Sequence, residues 1–198
     1  MISAIPPRWA EILLRLVLDS RDQATVSGDL LEEFRDSVRP ERGPSAADRW
    51  YVGQVIGFVI RSNAVPALLF GGAFVARTAL DWLQPPAEFH TRSLISTLVA
   101  ISILLVSGTI ASWKSGTILA GGLSGVATTA LAALMSTVGT LLLLVIWHDP
   151  TTLQAIEGSG GLSEVFSLPV MLIVPGVLLG AIGGVVGTVA HWGVRRSS

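Results

Sequence analysis

The chain has 198 residues, of which 51% are hydrophobic and 14% are charged, with a mean hydropathy of +0.65 and a net charge of −1. Soluble chains carry about 25% charged residues, so this composition predicts a membrane protein. A net charge near zero without a basic patch argues against nucleic-acid binding. The absence of cysteine excludes a disulfide framework, a thiolate nucleophile and a Cys-ligated metal.

The charges are concentrated in the first third of the chain. Residues 1–63 carry eight Arg and nine Asp or Glu, which leaves five basic and five acidic residues for 64–198. This division predicts a helical domain at 1–63, ending in an interfacial lead-in helix, and a four-helix transmembrane domain at 64–198. Prolines and charges interrupt the apolar core that a signal peptide needs, so we expect the chain to begin at or near Met1.

Three short helices are predicted before the first membrane span. Pro6 and Pro7 can begin the first of them. Its apolar face is expected to consist of Ile12, Leu13, Leu16 and Val17. Asp29, followed three residues later by Glu32, is a capping-box pattern that predicts the start of the second helix. The third helix is expected to begin near Ala46 and to run to the bilayer as an amphipathic segment.

These segments resemble a known family. PPRWAEILLRLVL, SGDLLEEF and DRWYVGQVI are similar to the permease prefix domain that precedes bacterial duplicated permeases of the MacB/FtsX type. The resemblance covers roughly residues 5–60. It implies a reusable, membrane-proximal interaction module and an origin in the bacterial inner membrane. The permease domains of that family do not follow here, so no transport residues carry over.

Four stretches are apolar for the roughly 20 residues that a helix needs to cross a hydrocarbon core about 30 Å thick. They lie at about 64–83, 93–113, 118–147 and 168–192. Asn63 is the expected N-cap of the first span, with Pro66 in its first turn and Pro85 with Pro86 beyond its end. The third stretch is longer than one crossing requires, so either the helix tilts or its glycine-rich start lies in the interface or a loop.

Tryptophans at the carboxyl ends of the four spans are expected to act as interfacial anchors. They are Trp82, Trp113, Trp147 and Trp192. If the amino terminus is cytoplasmic, 11 of the 13 basic residues lie on the inner side. The positive-inside rule therefore predicts that both termini are cytoplasmic.

Glycines at four-residue spacing predict close helix packing, because a backbone without Cβ atoms lets another helix approach closely. The expected helix-packing residues are Gly121, Gly125, Gly176, Gly180, Gly183, Gly184 and Gly187. Two interpretations stay open at this point. The glycines can pack within the chain's own bundle, or they can contact another subunit.

Arg77 and Asp81 form a charged pair within a predicted span, on one face of the helix at i, i+4 spacing. We expect an intramembrane ion pair near the outer boundary. An ion or substrate relay is the alternative, although no other predicted span offers a carboxylate or a basic residue. His90 and His148 share the outer face but lack the close spacing of metal ligands. We therefore predict no catalytic residue, no metal and no cofactor, with bound lipid as the expected ligand.

Three functions fit this pattern. The first is a non-catalytic accessory or scaffolding subunit of a larger bacterial inner-membrane complex, respiratory, photosynthetic or transport, with membrane lipid and other integral membrane subunits as partners. The second is a small transporter or permease-associated component, which needs a polar path through the bundle. Its candidates are Ser96, Thr97, Ser102, Thr128, Thr129, Ser136 and Thr137. The third is a membrane-anchored regulator.

Overall fold

The computed structural model describes residues 5–83, 89–147, 150–158, 163, 166–167 and 170–197, and no strand occurs in these ranges. The helices are α1 (Arg8–Val17), α2 (Gln23–Glu33), a π-helical turn (Phe34–Val38), α3 (Arg39–Arg42), α4 (Pro44–Leu83), α5 (Phe89–Ser115), α6 (Ile118–Ile146), α7 (Pro150–Gly158) and α8 (Ile173–Ser197). Helices α4, α5, α6 and α8 are long and apolar enough to cross a membrane. The predicted all-α fold with four spans and shorter N-terminal helices is confirmed.

The N-terminal helices and the first part of α4 fold around a small apolar core. It consists of Ala10, Leu14, Leu18, Leu30, Phe34, Val38, Ala47, Tyr51 and Val55. The predicted apolar residues of α1 share one face, but only part of this face meets the core: Leu13 packs against it, whereas Ile12 is 59% exposed. Helix α1 has one broad apolar face, and the part of it that carries the small Ala10 packs against α4.

The second N-terminal helix begins upstream of the predicted capping box. Asp29 lies in the interior of α2, which already begins at Gln23, so it is not an N-cap. The helix extends upstream because Val26 packs on the same core as Leu30. The π-helical turn ends two residues before Pro40, which has no N–H and whose ring excludes the carbonyl of Asp36, four residues earlier, from a regular α-helix.

Helix α4 is one unbroken helix of 40 residues, about 60 Å long at 1.5 Å per residue. The predicted lead-in helix and first span are thus a single element, and Asn63 lies in its interior and does not cap it. The side-chain amide of Asn63 donates to the carbonyl of Val59 at 2.8 Å, so its polar group is satisfied without ending the helix. Pro66 lies inside this helix, not in a first turn.

The other spans match the prediction with shifted ends. Helix α5 begins four residues before the predicted start and ends at Ser115, where the following Gly116 has the positive φ of 75° that terminates many helices. Helix α6 includes the glycine-rich start of the third span, which is therefore helix and not loop. The predicted fourth span began at Leu168, which, like Pro85, Pro86 and His148, lies outside the described residues.

Helix α8 packs against α5 and α6 through its glycines. A Cβ atom on Gly180 would collide with the carbonyl oxygen of Gly121, and one on Gly183 with the carbonyl oxygen of Leu105. The other predicted packing glycines lie at the same two crossings: Gly125, Gly176, Gly184 and Gly187. The hydroxyl of Thr109 also donates to the carbonyl of Gly183 at 3.1 Å. The glycine faces are therefore occupied within the chain's own bundle.

We expect Gly180→Ala to lower the free energy of unfolding by about 1–3 kcal/mol, because an added methyl must displace the backbone of α6. Gly72→Ala is the matched control, since a Cβ atom there has nothing within 4 Å. Unfolding of both variants in detergent micelles by titration with sodium dodecyl sulfate measures the difference. Equal stability of the two variants would contradict close packing at this crossing.

Candidate functional site

A groove of about 450 Å³ opens between α4 and α5, with α6 behind it and the end of α1 beside one end. Its walls carry apolar side chains such as Val65 and Leu69 of α4 and Ile103 and Val106 of α5. Lys114 lies at the end nearest the N-terminal domain. The arrangement is an elongated apolar recess with an amine at one end.

Contacts at both ends of α4 hold the groove open. The first part of α4 is fixed in the N-terminal core through Tyr51 and Val55. The backbone N–H of Ser20, in the turn after α1, donates to the carbonyl of Lys114 at 3.1 Å, which ties this domain to the end of α5. At the far end an ion cluster joins α4 to α5. Between them, Phe70 of α4 packs with Ala100 of α5 and Ala132 of α6, and the groove lies between this cluster and the N-terminal domain.

The ion cluster is centred on Asp81, which is buried. Arg77 Nε lies 3.4 Å from Asp81 Oδ2, so the expected pair is present. Arg92 Nη1 lies 3.6 Å from Asp81 Oδ1, an ion pair without a hydrogen bond. Arg92 also donates to the carbonyl of Leu80 at 3.1 Å, and Arg77 donates to the hydroxyl of Ser96 at 3.3 Å. The prediction that no other span offers a charged partner is wrong, because α5 begins early enough to include Arg92.

A polar cluster that sequence reasoning missed lies where α4 crosses α6. Asn63 is only 4% exposed, and its Oδ1 accepts from the hydroxyl of Ser124 at 2.7 Å and from that of Thr128 at 3.4 Å. An amide inside a helix crossing joins helices in a membrane because unpaired polar groups are costly in lipid. The sequence carries a signal for this cluster, because an Asn near a membrane span is rare. Its position just before the predicted span, however, also fits an N-cap.

The tryptophans take different positions. Trp113 and Trp192 are exposed, and Trp147 is half-buried just beyond α6, as interfacial anchors can be. Trp82 is 4% exposed, so the prediction that it anchors the protein among headgroups is wrong. Helix α7 packs against α4, and the indole of Trp82 belongs to the protein interior.

Among the described side chains, that of His191 makes a contact between two helix ends. His191 Nδ1 donates to the carbonyl of Trp113 at 2.6 Å and so joins the ends of α8 and α5. The side chain of His90 and all of His148 lie outside the described residues. No three His, Asp or Glu side chains in the described ranges lie close enough together to hold a metal ion.

The fold and its polar clusters define a polytopic α-helical membrane protein with a small helical domain at the amino terminus of its first span. No known protein family, curated protein or solved structure matches this chain. The resemblance of the N-terminal segments to the permease prefix domain stays a prediction.

Asn63→Leu is expected to reduce the free energy of unfolding by about 0.6–1.7 kcal/mol, which are the mean and the maximum for hydrogen bonds between membrane helices. Ser102→Ala is the control, since the Ser102 hydroxyl donates only to the carbonyl of Leu98 in its own helix. Combining Asn63→Leu with Ser124→Ala should cost less than the sum of the two single changes. Additive losses would show that the two side chains do not interact.

Asp81→Asn is expected to lower the free energy of unfolding by about 1–3 kcal/mol, below the 3–5 kcal/mol typical of a fully buried pair because the cluster is partly exposed. The comparison is Glu11→Gln, which removes the surface i, i+4 partner of Arg15 and should cost below about 0.5 kcal/mol. The same micelle titration applies. A loss no larger than that of Glu11→Gln would rule out a structural ion cluster.

Proposed function

We propose that this chain is a non-catalytic accessory or scaffolding subunit of a larger bacterial inner-membrane complex, respiratory, photosynthetic or transport. Its task is to hold the N-terminal helical domain at a fixed position on the membrane for partner subunits. The observation that carries this proposal is the continuity of α4, which belongs both to the N-terminal core and to the transmembrane bundle.

Rigid coupling supports a scaffolding role. Tyr51 and Val55 of α4 pack in the N-terminal core, and Asn63, two turns later, bonds to α6 in the bundle. An intact helix of this length transmits position and orientation without a flexible linker. The hydrogen bond between Ser20 and Lys114 adds a second attachment. A domain held in this way can present one surface to a partner at a constant height and angle.

The glycine faces are engaged within the bundle, so a partner subunit would contact other surfaces. The N-terminal domain offers an exposed charged surface on α2 and the π-helical turn, formed by Asp29, Glu32, Glu33, Arg35 and Asp36. Charged surfaces of this kind favour specific, oriented association more than raw affinity. Membrane lipid and integral membrane subunits are the partners that fit the proposal.

The distribution of basic residues supports an orientation with the N-terminal domain in the cytoplasm. This domain carries eight Arg, and the turn between α5 and α6, on the same side, follows Lys114. Both termini would then be cytoplasmic, in agreement with the positive-inside rule.

Hydrogen bonding favours assembly over transport. The hydroxyls of Thr97, Ser102 and Thr129 donate to carbonyls of their own helices, and that of Thr128 donates to Asn63. Groups bonded in this way serve the helices and their crossings. The small-transporter alternative would have to recruit them away from these bonds.

The proposal predicts that breaking α4 between its two halves abolishes assembly. Gly57→Pro should interrupt the helix, because the proline ring excludes the carbonyl four residues earlier. Gly57→Ala is the matched control, since a Cβ atom there meets nothing within 4 Å. Tagged chains are extracted from the native membrane in mild detergent, and co-purifying subunits are identified by mass spectrometry.

The unmodified chain and Gly57→Ala should retain the same partner subunits, and Gly57→Pro should lose them while its span region stays resistant to proteolysis. Isolation of only the 20.8 kDa monomer from the unmodified chain at every step would overturn the proposal.

A further inference from the structure

The groove between α4 and α5 has the depth of one bilayer leaflet. Its lining on α5 runs from Ser102 to Lys114, about 18 Å along the helix axis at 1.5 Å per residue. A hydrocarbon core about 30 Å thick allots roughly 15 Å to each leaflet. The groove therefore extends from the membrane surface on the side of the N-terminal domain to about the middle of the bilayer.

The lining is apolar despite its serines. The hydroxyls of Ser62, Ser102 and Ser107 donate to carbonyls of their own helices at 2.8 to 3.2 Å. Their hydrogen-bonding capacity is directed at the backbone, and Val65, Val106 and neighbouring apolar side chains form the walls. A hydrocarbon chain can lie along such walls without leaving a strong donor unpaired.

The amine of Lys114 provides the charge at the surface end. Lys114 is exposed and forms no ion pair within the described part of the chain, and its carbonyl is held by the N–H of Ser20. An ammonium fixed at the headgroup level attracts a phosphate. The groove is therefore cationic at the membrane surface and apolar in its depth.

Helix α1 presents an apolar stripe beside the same end. Trp9 is 54% exposed, Ile12 points the same way, and Leu16, one turn further, lines the groove. Arg8 and Arg15 lie next to this stripe, on the side of Ile12. Exposed apolar residues at helical spacing next to basic side chains are typical of a helix lying in the headgroup region. The stripe and the groove thus face the same leaflet.

From these observations we infer that the groove binds one anionic phospholipid of the leaflet on the N-terminal-domain side, with an acyl chain between α4 and α5 and its phosphate at Lys114. The groove offers an exposed amine at the membrane surface, followed by apolar walls about one leaflet long. A phospholipid presents the matching order, an anionic phosphate followed by a hydrocarbon chain.

The test measures lipid binding to the full chain by native mass spectrometry after purification in detergent and delipidation. Phosphatidylglycerol and phosphatidylcholine of identical acyl chains are titrated separately. The unmodified chain should bind one phosphatidylglycerol at a lower concentration than phosphatidylcholine. Lys114→Gln should weaken phosphatidylglycerol binding about fivefold, and Arg61→Gln, which removes an exposed cation outside the groove, should leave it within about twofold.

A second pair of variants tests the apolar walls of the groove. Val106→Phe fills the groove and should weaken both lipids about tenfold, whereas Val186→Phe, at a comparably exposed valine of α8, should not. A phosphatidylglycerol with a photoreactive acyl chain, bound to the unmodified chain, should label peptides from 62–69 and 102–114, which keeps the test independent of variant folding.

Three results would overturn the inference. They are labelling spread evenly over the lipid-facing surfaces, unchanged phosphatidylglycerol binding in Lys114→Gln, and a dimer that persists in the unmodified chain but is lost in Val106→Phe. The last result would assign the groove to a second copy of the chain. Failure of the accessory-subunit proposal would instead appear as missing co-purifying proteins, with lipid binding intact.

Discussion

Close backbone contact between α8 and its two neighbours determines the arrangement of the other spans. Lipid offers little hydrophobic driving force for helix association, so contact has to come from packing and interhelical hydrogen bonds. Glycines of α8 supply it on two faces, one against Gly121 and Gly125 of α6 and the other against α5. Helices α5, α6 and α8 therefore form a tight unit, and α4 packs mainly against the side of α6 that α8 leaves free.

The position of α4 follows from this unit. It is attached to α6 through Asn63, to α5 through the Asp81 cluster, and to the N-terminal core through Tyr51. Between Asn63 and Asp81, Phe70 packs with Ala100 of α5, so α4 and α5 separate only on the side of the N-terminal domain. The groove is the space that remains, and its leaflet depth follows from the spacing of the attachments along α4.

The N-terminal domain is part of the same mechanical unit. Its core includes side chains of α4, so domain and first span share a helix and cannot reorient independently. Because the apolar face of α1 is broad, one part of it completes this core and the other part stays exposed next to the groove. The domain therefore borders the surface end of the groove, and the hydrogen bond from Ser20 fixes the backbone of α5 at Lys114.

Sequence alone determined the all-α class, the four spans and the glycines that pack, because lipid requires long apolar helices and close helix crossings require residues without Cβ atoms. Local patterns failed where a distant element decided the outcome. Asn63 and Asp29 fit cap patterns, yet both lie inside helices: the Asn63 side chain bonds to Val59 and to Ser124 of α6, and α2 begins upstream at Gln23. Trp82 fits the pattern of an interfacial anchor but is buried. Arg92 pairs with Asp81 because the end of α4 lies beside the start of α5. The groove could not be predicted, because it is set by which helices are held together and where, and no single segment encodes that.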